Sequence, residues 1–174
     1  LTAPFEDWTL ERVADWTAGA GMDMLEVACW PRAGGEKRRY AGTSHIDVDG
    51  LTDAQASEIT GMLADKGLAI SGLAYYPNPL HAEAEMREAA AEHLKKVIAA
   101  APKLGVGIVN TFMGGQRDLT VDDNLKRAEE IFPEIVAHAR DHGVTLCFEN
   151  CPMIFSYDEW PGGHNIAYAP KTWR

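Results

Sequence analysis

Residues 143–150 read GVTLCFEN and carry the alternation that decides the fold. Every second residue from Val144 is large and apolar, whereas the positions between are small or polar and end at Glu149. In an extended strand these two sets point to opposite faces. One face suits packing against helices, and the other suits an interior that opens on a site. An open sheet covered by helices on both sides would be apolar on both faces.

The same kind of segment occurs four times along the chain. A glycine precedes a short apolar run at residues 21, 67, 105 and 143, so that the spacings are 46, 38 and 38 residues. Each glycine suits the left-handed position that ends a helix, and the run after it suits a strand. Helical patterns lie between the runs, one of them behind a capping box at Thr52 and Gln55. The alternation of strand and helix predicts a parallel sheet with right-handed crossovers.

Of the two folds with that order, the barrel fits better. No glycine-rich phosphate loop follows the first strand, as an open dinucleotide-binding sheet would require. We therefore predict an α/β protein with the fold of a (β/α)8 TIM barrel. Because such a barrel takes about 250 residues, the 174 residues of this chain predict about five βα units, strands one to five of one incomplete domain over 1–174. Residues 1–3 are expected to end strand one, and the C-terminal strands are expected outside this chain.

Charge and cysteine content exclude several classes of protein. Lys and Arg number 16 and Asp and Glu number 26, which gives a net charge of −10. This balance argues against nucleic acid and anionic membranes as partners. Three cysteines cannot all pair, and reduced thiols predict a cytoplasmic protein. No signal peptide or membrane-spanning stretch is visible. A small molecule is the expected partner, and a homo-oligomer is left open.

Glu149 is the sharpest candidate for chemistry. Carboxyl ends of the strands form the site in a barrel, and Glu149 ends an apolar run just before Asn150 and a proline. A carboxylate there can bind a hard divalent cation or take a proton from carbon next to a carbonyl. Because a buried Glu is rare unless it is paired, we favour function over a structural salt bridge.

Other strand-end residues form the predicted substrate site. Glu26 either contacts substrate or makes a structural ion pair, and His81 either bonds a sugar hydroxyl or is a solvated residue of a first helical turn. The aromatic residues Trp30, Tyr75 and Phe112 either line a sugar-sized pocket or pack in the core. The further predicted substrate-binding residues are Trp30, Tyr75, Asn78, Asn110, Phe112 and Asn150. The helical histidines, which are expected on the surface, are His93, His138 and His142.

Six stretches together resemble the sugar phosphate isomerase/epimerase family, the xylose isomerase-like TIM barrels, which include keto-inositol dehydratase-like members. They are GMDMLEVACWP at 21–31, YAGTSHIDVD at 40–49, SGLAYYPNPLH at 71–81, VNTF at 109–112, FENCPM at 148–153 and EWPGGHNIAYAPKTWR at 159–174. The resemblance covers nearly the whole chain but does not fix the substrate. Abasic-site endonucleases of a related barrel family match less well, because neither a His-rich zinc cluster nor a basic face is present.

The resemblance also implies a metal. Members bind one divalent ion, Mn2+ in the first instance with Mg2+, Co2+ or Zn2+ as alternatives, through residues after strands five to eight. Glu149 matches the first of these ligands and is therefore the predicted metal ligand and catalytic carboxylate. The other three ligands, an Asp, a His and a Glu, are expected in strands outside this chain, so the site is expected to be incomplete here.

Three functions follow from this resemblance. The first is a metal-dependent sugar or sugar phosphate isomerase or epimerase that moves a proton through an enediolate. The second is a lyase of the keto-inositol dehydratase type, which shares the early steps. The third is a sugar-binding barrel that has kept the pocket and lost the chemistry. The chain by itself is expected to be inactive.

Overall fold

The computed structural model describes residues 1–32, 42–151 and 164–174. Four strands and four α-helices alternate along them. The strands are β1 (Met24–Ala28), β2 (Ala69–Ala74), β3 (Ile108–Thr111) and β4 (Thr145–Phe148). The helices are α1 (Leu10–Gly19), α2 (Asp53–Asp65), α3 (Ala84–Ala100) and α4 (Val121–Asp141). Three 3-10 turns lie at Ala101–Leu104, Ile166–Tyr168 and Pro170–Trp173.

The predicted glycine turns are confirmed. Gly21, Gly67, Gly105 and Gly143 have φ angles of 75°, 72°, 67° and 68°. Each follows a helical segment, and a strand begins within a few residues of each. A left-handed residue at this place turns the chain out of the helix and costs glycine little. The predicted capping box also forms, since Thr52 and Gln55 each bond the backbone of the other.

The sheet is parallel throughout, in the order β1-β2-β3-β4. One row across it is apolar and packs beneath the helices: Val27, Leu73, Val109 and Leu146. The row one residue further lies on the opposite face and contains Ala28, Ala74, Asn110 and Cys147. This second face is called the inner face below. The predicted two-sided pattern is therefore confirmed.

Helix packing explains why one face is apolar. Phe132 of α4 meets Phe148 of β4 edge to face, with ring centroids 5.0 Å apart. Fully buried aliphatic side chains from the helices and strands fill the layer between them, among them Leu63, Leu94 and Ile135. By contrast, Met24 and Ile108 at the beginnings of their strands on the inner face are 51% and 40% exposed. The sheet is therefore packed on its helix side and open near the strand beginnings on its inner side.

Residues 1–3 form no strand in the described parts of the chain, which contain four strands rather than five. Thr2 does lie beside β1, because its N–H donates to the Glu26 carbonyl at 2.9 Å. Its hydroxyl accepts from the Ala28 N–H, also at 2.9 Å. One backbone bond and one side-chain bond hold the segment against the sheet edge, but they do not make a ladder.

Within the described residues, no helix is both long and apolar enough to cross a membrane.

Candidate functional site

Two carboxylates and one tyrosine meet on the inner face at the carboxyl end of the sheet. Tyr76, just after β2, is buried, and its hydroxyl donates to Oε1 of Glu26 at 2.5 Å. Glu149, the first residue after β4, also reaches this hydroxyl. β1, β2 and β4 each bring one of the three groups to the site, so the parallel order of the sheet assembles it.

The pKa values reflect this crowding of acidic groups. Burial raises the pKa of Tyr76, and its bond to Glu26 and the charges of Glu26 and Glu149 raise it further. The phenol therefore stays protonated and acts as a donor. The pKa of Glu149 is also raised, first by desolvation and then by the charge of Glu26, while the Tyr76 hydroxyl opposes the shift. Glu149 keeps much of its surface open to solvent, yet the protein atoms around its carboxylate still disfavour the charge.

Tyr76 was missed by the sequence prediction, which chose Tyr75. Glu26 pairs with Gly72 across β1 and β2, and alternation places residue 76 on the same face as residue 72. Tyr75 points the other way, and its ring lies edge-on to His93 at 4.7 Å. The alternation of faces along β2 continues past the end of the strand. It was the signal that Tyr76, and not Tyr75, lies on the same face as Glu26.

Aromatic rings surround the Tyr76 side chain. Its ring lies 4.8 Å from Phe112 and 6.0 Å from Trp30, and Trp30 in turn meets Tyr75 edge to face at 5.8 Å. All four rings are buried. Of the predicted aromatic residues, Trp30 and Phe112 therefore pack against Tyr76 at the site, whereas Tyr75 contacts Trp30 and His93. Their contact with substrate stays a prediction.

Asn78 joins two loops. Its Oδ1 accepts from the N–H groups of Gly115 at 2.9 Å and Leu80 at 3.2 Å, and its Nδ2 donates to the Gly115 carbonyl at 2.9 Å. The side chain is buried. These bonds give Asn78 a structural role beside the predicted substrate contact, which stays a prediction.

The other predicted substrate residues lie around the same edge. Asn110 is on the inner face of β3, so close to Gly72 that a Cβ there would lie 2.9 Å from the Asn110 Nδ2. His81 is half-buried, and its Nδ1 accepts from the Glu83 N–H at 3.1 Å. Asn150 is exposed. Their roles in binding stay predictions.

We expected His93 on the surface because of its position in a helix, but it is buried. It is 6% exposed, and its Nε2 donates to the Cys29 carbonyl at 2.8 Å. Burial lowers its pKa. The side chain lies beside Leu94 and one turn after Ala90 on the buried face of α3, so the apolar stripe of that helix was the signal for its position. It supports the backbone between β1 and Trp30.

The side chains at this place offer few donors for a metal ion. Among the described residues, no group of three or more His, Cys, Asp or Glu side chains could hold a metal ion. Glu26 and Glu149 supply two carboxylates at one place, which is fewer than the donors that a divalent cation takes from a dedicated protein site. These residues alone do not fit a complete metal site.

The family model that matches the chain is described as "Xylose isomerase-like TIM barrel" and covers residues 14–165. The chain belongs to this family. Both the predicted fold class and the resemblance are therefore confirmed. Among curated proteins, none matches the chain.

Several solved structures have the same fold. D-psicose 3-epimerase from Clostridium cellulolyticum H10 superposes with a TM-score of 0.57 at 16% identity, over 86% of this chain and 48% of that one. The probable 3-DHS dehydratase AsbF from Bacillus anthracis gives 0.60 at 15%, over 87% and 51%. A sugar phosphate isomerase/epimerase from Parabacteroides distasonis gives 0.55 at 20%, over 91% and 54%. The chain thus spans about half the length of these structures.

Proposed function

We propose that the protein containing this chain is an isomerase or epimerase of a sugar or sugar phosphate, and that Glu149 moves the proton. The observation that carries the proposal is the meeting of Glu26, Tyr76 and Glu149 at the carboxyl edge of the sheet. Family membership and the epimerases among the structural matches support it. A neutral polyol suits a site with two carboxylates, because its hydroxyl groups can donate to both.

In the proposed step, the Glu149 carboxylate takes the proton from a carbon next to the substrate carbonyl. The electron pair of that C–H bond forms the carbon–carbon double bond of an enediolate, and the carbonyl oxygen takes the negative charge. A proton delivered to the other face of the same carbon, by a second acid or by water, gives the epimer, and the enediolate oxygen becomes the carbonyl again. Return of the proton from Glu149 to the former carbonyl carbon gives the isomer, because the proton of the neighbouring hydroxyl then moves to the former carbonyl oxygen and leaves a new carbonyl. A base works best with a pKa close to the working pH, and the raised pKa of Glu149 is in that direction.

Glu26 has a binding role in this proposal. Its carboxylate is already engaged by the Tyr76 hydroxyl, so it accepts a substrate hydroxyl with its remaining lone pairs and is held in a fixed direction. The aromatic residues Trp30 and Phe112 exclude water from one side of the site.

The proposal for the whole protein includes a divalent metal ion, for which Mn2+ is the preferred candidate. When bound, such an ion would polarise the carbonyl and hydroxyl of the substrate. Glu149 would supply one oxygen ligand. Because the described residues do not make a complete site, no step above depends on the metal.

Dehydration is the second candidate, and the match to a dehydratase of the same fold favours it. A keto-inositol dehydratase-type lyase would begin with the same proton abstraction and would then expel hydroxide from the neighbouring carbon. The mass of the product separates the two, since the lyase product is lighter by one water.

The test uses the full-length protein with Mn2+ and a panel of aldo sugars, keto sugars, their phosphates and keto-inositols, followed by NMR and mass spectrometry. We expect an isomer or epimer of one substrate. Glu149→Gln should lower kcat about 10²- to 10⁴-fold, whereas the exposed Glu130→Gln on α4 should not. If the wild-type protein binds a sugar without converting it, and Glu149→Gln binds equally well, the protein is instead a non-catalytic sugar-binding barrel.

A further inference from the structure

Asn165 is a fully buried polar side chain beside the backbone that carries Glu149. It is 0% exposed. Its Nδ2 donates to the carbonyl oxygens of Glu149 at 2.9 Å and Cys151 at 3.2 Å. Both amide hydrogens are therefore used, which fixes the side chain in one orientation, because a buried amide is costly to leave unpaired.

The other end of the same amide holds the loop after β3. Oδ1 of Asn165 accepts from the N–H groups of Gly114 at 3.4 Å and Ala167 at 3.3 Å. Next to it, the Ile166 N–H donates to the Gly114 carbonyl at 2.9 Å. One side chain thus ties the end of β4 to the neighbouring loop.

That loop is itself tightly held. Asn78 bonds Gly115 from one side, as described above, and a Cβ at Gly115 would lie 2.8 Å from Cδ2 of His164 on the other. Because a Cβ at Gly114 would meet Asn78 and a Cβ at Gly115 would meet His164, both positions need glycine. Asn165 is therefore anchored to a loop with little freedom to move.

Glu149 needs such an anchor because it lies just beyond the strand. Its N–H still donates to the Thr111 carbonyl at 2.9 Å, but β4 ends at Phe148. Its carbonyl is bonded by Asn165 instead of by a neighbouring strand. The two bonds together fix the peptide units on both sides of Glu149.

We propose that Asn165 is a positioning residue, which fixes the backbone at Glu149 and thereby directs its carboxylate toward Tyr76 and the substrate. This inference rests on the proposed function of Glu149. A shift of about 1 Å in a reacting group can cost about 10²-fold in rate, so loss of Asn165 should act on kcat.

The experiment compares three variants of the full-length protein. Asn165→Ala removes all four bonds. Asn165→Asp keeps an acceptor toward Gly114 and Ala167 but replaces the donor that faces Glu149 and Cys151. The matched control is Asn124→Ala, because Asn124 is equally buried and holds the other end of the same loop through Gln116, with bonds of 2.7 and 3.0 Å.

We expect both Asn165 variants to lower kcat about 10- to 100-fold with KM essentially unchanged, the sign of an interaction that acts in the transition state. Asn124→Ala should lower the melting temperature and leave kcat near the wild-type value. Wild-type kcat in Asn165→Asp, or an equal fall in Asn124→Ala, would overturn the proposal. If neither Asn165 variant folds, Asn165→Ser decides by the same kcat criterion.

Hydrogen–deuterium exchange separates this inference from the proposed function. Peptides covering residues 147–151 should exchange faster in Asn165→Ala than in Asn124→Ala, whether or not the protein turns over any sugar. Equal exchange overturns the positioning role. Faster exchange in a protein that converts no substrate counts against the proposed function alone.

Discussion

At the scale of single residues, the site depends on which neighbour in a pair points inward. Tyr75 and Tyr76 are adjacent and both buried, but only Tyr76 donates to Glu26 in the bonds described above. Its hydroxyl donates its one hydrogen to Glu26, and it also lowers the pKa of Glu149. One phenol therefore influences the protonation of the residue proposed as the base.

Tyr76→Phe should raise the pKa of Glu149. The hydroxyl holds that pKa down against the opposing effects of desolvation and the charge of Glu26, so its removal leaves only the effects that raise the pKa. Titration of the carboxyl groups by 13C NMR measures the change. The control is Tyr75→Phe, which leaves the bond between Tyr76 and Glu26 in place. An unchanged or lowered pKa of Glu149 in Tyr76→Phe would contradict the arrangement.

At the scale of elements, the loop after β3 is closely packed against its neighbours. Gly114 has a φ of 81°, and a Cβ there would lie 2.2 Å from Oδ1 of Asn78. The loop thus combines a left-handed residue with a contact that leaves no room for a side chain. Both features require glycine at position 114, where the loops after β2 and β3 pack together beside the proposed base.

Gly114→Ala should destabilise the protein by more than Gly50→Ala. Gly50 has a similar φ of 70°, but nothing lies within 4 Å of a Cβ placed there. Gly50→Ala should therefore cost only the left-handed strain, about 1–2 kcal/mol. Gly114→Ala adds the clash with Asn78, at about 1–3 kcal/mol more. Urea unfolding at neutral pH measures both, and equal losses would show that Asn78 moves away freely.

At the scale of the whole molecule, two histidines join segments that are distant in sequence. His93 is buried and His45 is half-buried. His93 bonds the backbone after β1 from α3. His45 bonds the Thr2 hydroxyl at 3.0 Å and the Trp8 carbonyl at 3.1 Å, so it ties the N-terminal segment to the sheet. Burial lowers the pKa of both, more than their backbone bonds raise it.

The free energy of unfolding should therefore fall as the pH falls below about 6.5. Each histidine has a lower pKa in the folded chain than in the unfolded chain, so the unfolded chain binds more protons in this range and is favoured. Denaturant unfolding between pH 7.5 and 5 measures the slope. The double variant His45→Gln, His93→Gln should be less stable at pH 7.5 and show a smaller slope. A wild-type slope in that variant would rule out these two residues as the cause.

The fold could be predicted because its determinants are local. Four left-handed glycines, the capping box at Thr52 and the two-residue alternation from Val144 to Glu149 are features of short segments, and each corresponds to a feature of the structure. Residues 1–3, expected to end strand one, form no strand in the described parts of the chain, because they make one backbone bond to β1 and no ladder.

The sequence by itself determined the two faces of the sheet, since alternation depends only on the pleat of a strand. Only the tertiary structure decided which polar groups meet. Tyr76 reaches carboxylates 50 residues before and 73 residues after it (76 − 26 and 149 − 76). His93 is buried under a strand end far from it in sequence, and Asn165 bonds the end of β4. Such contacts depend on how the strands and loops pack side by side, which no local pattern records.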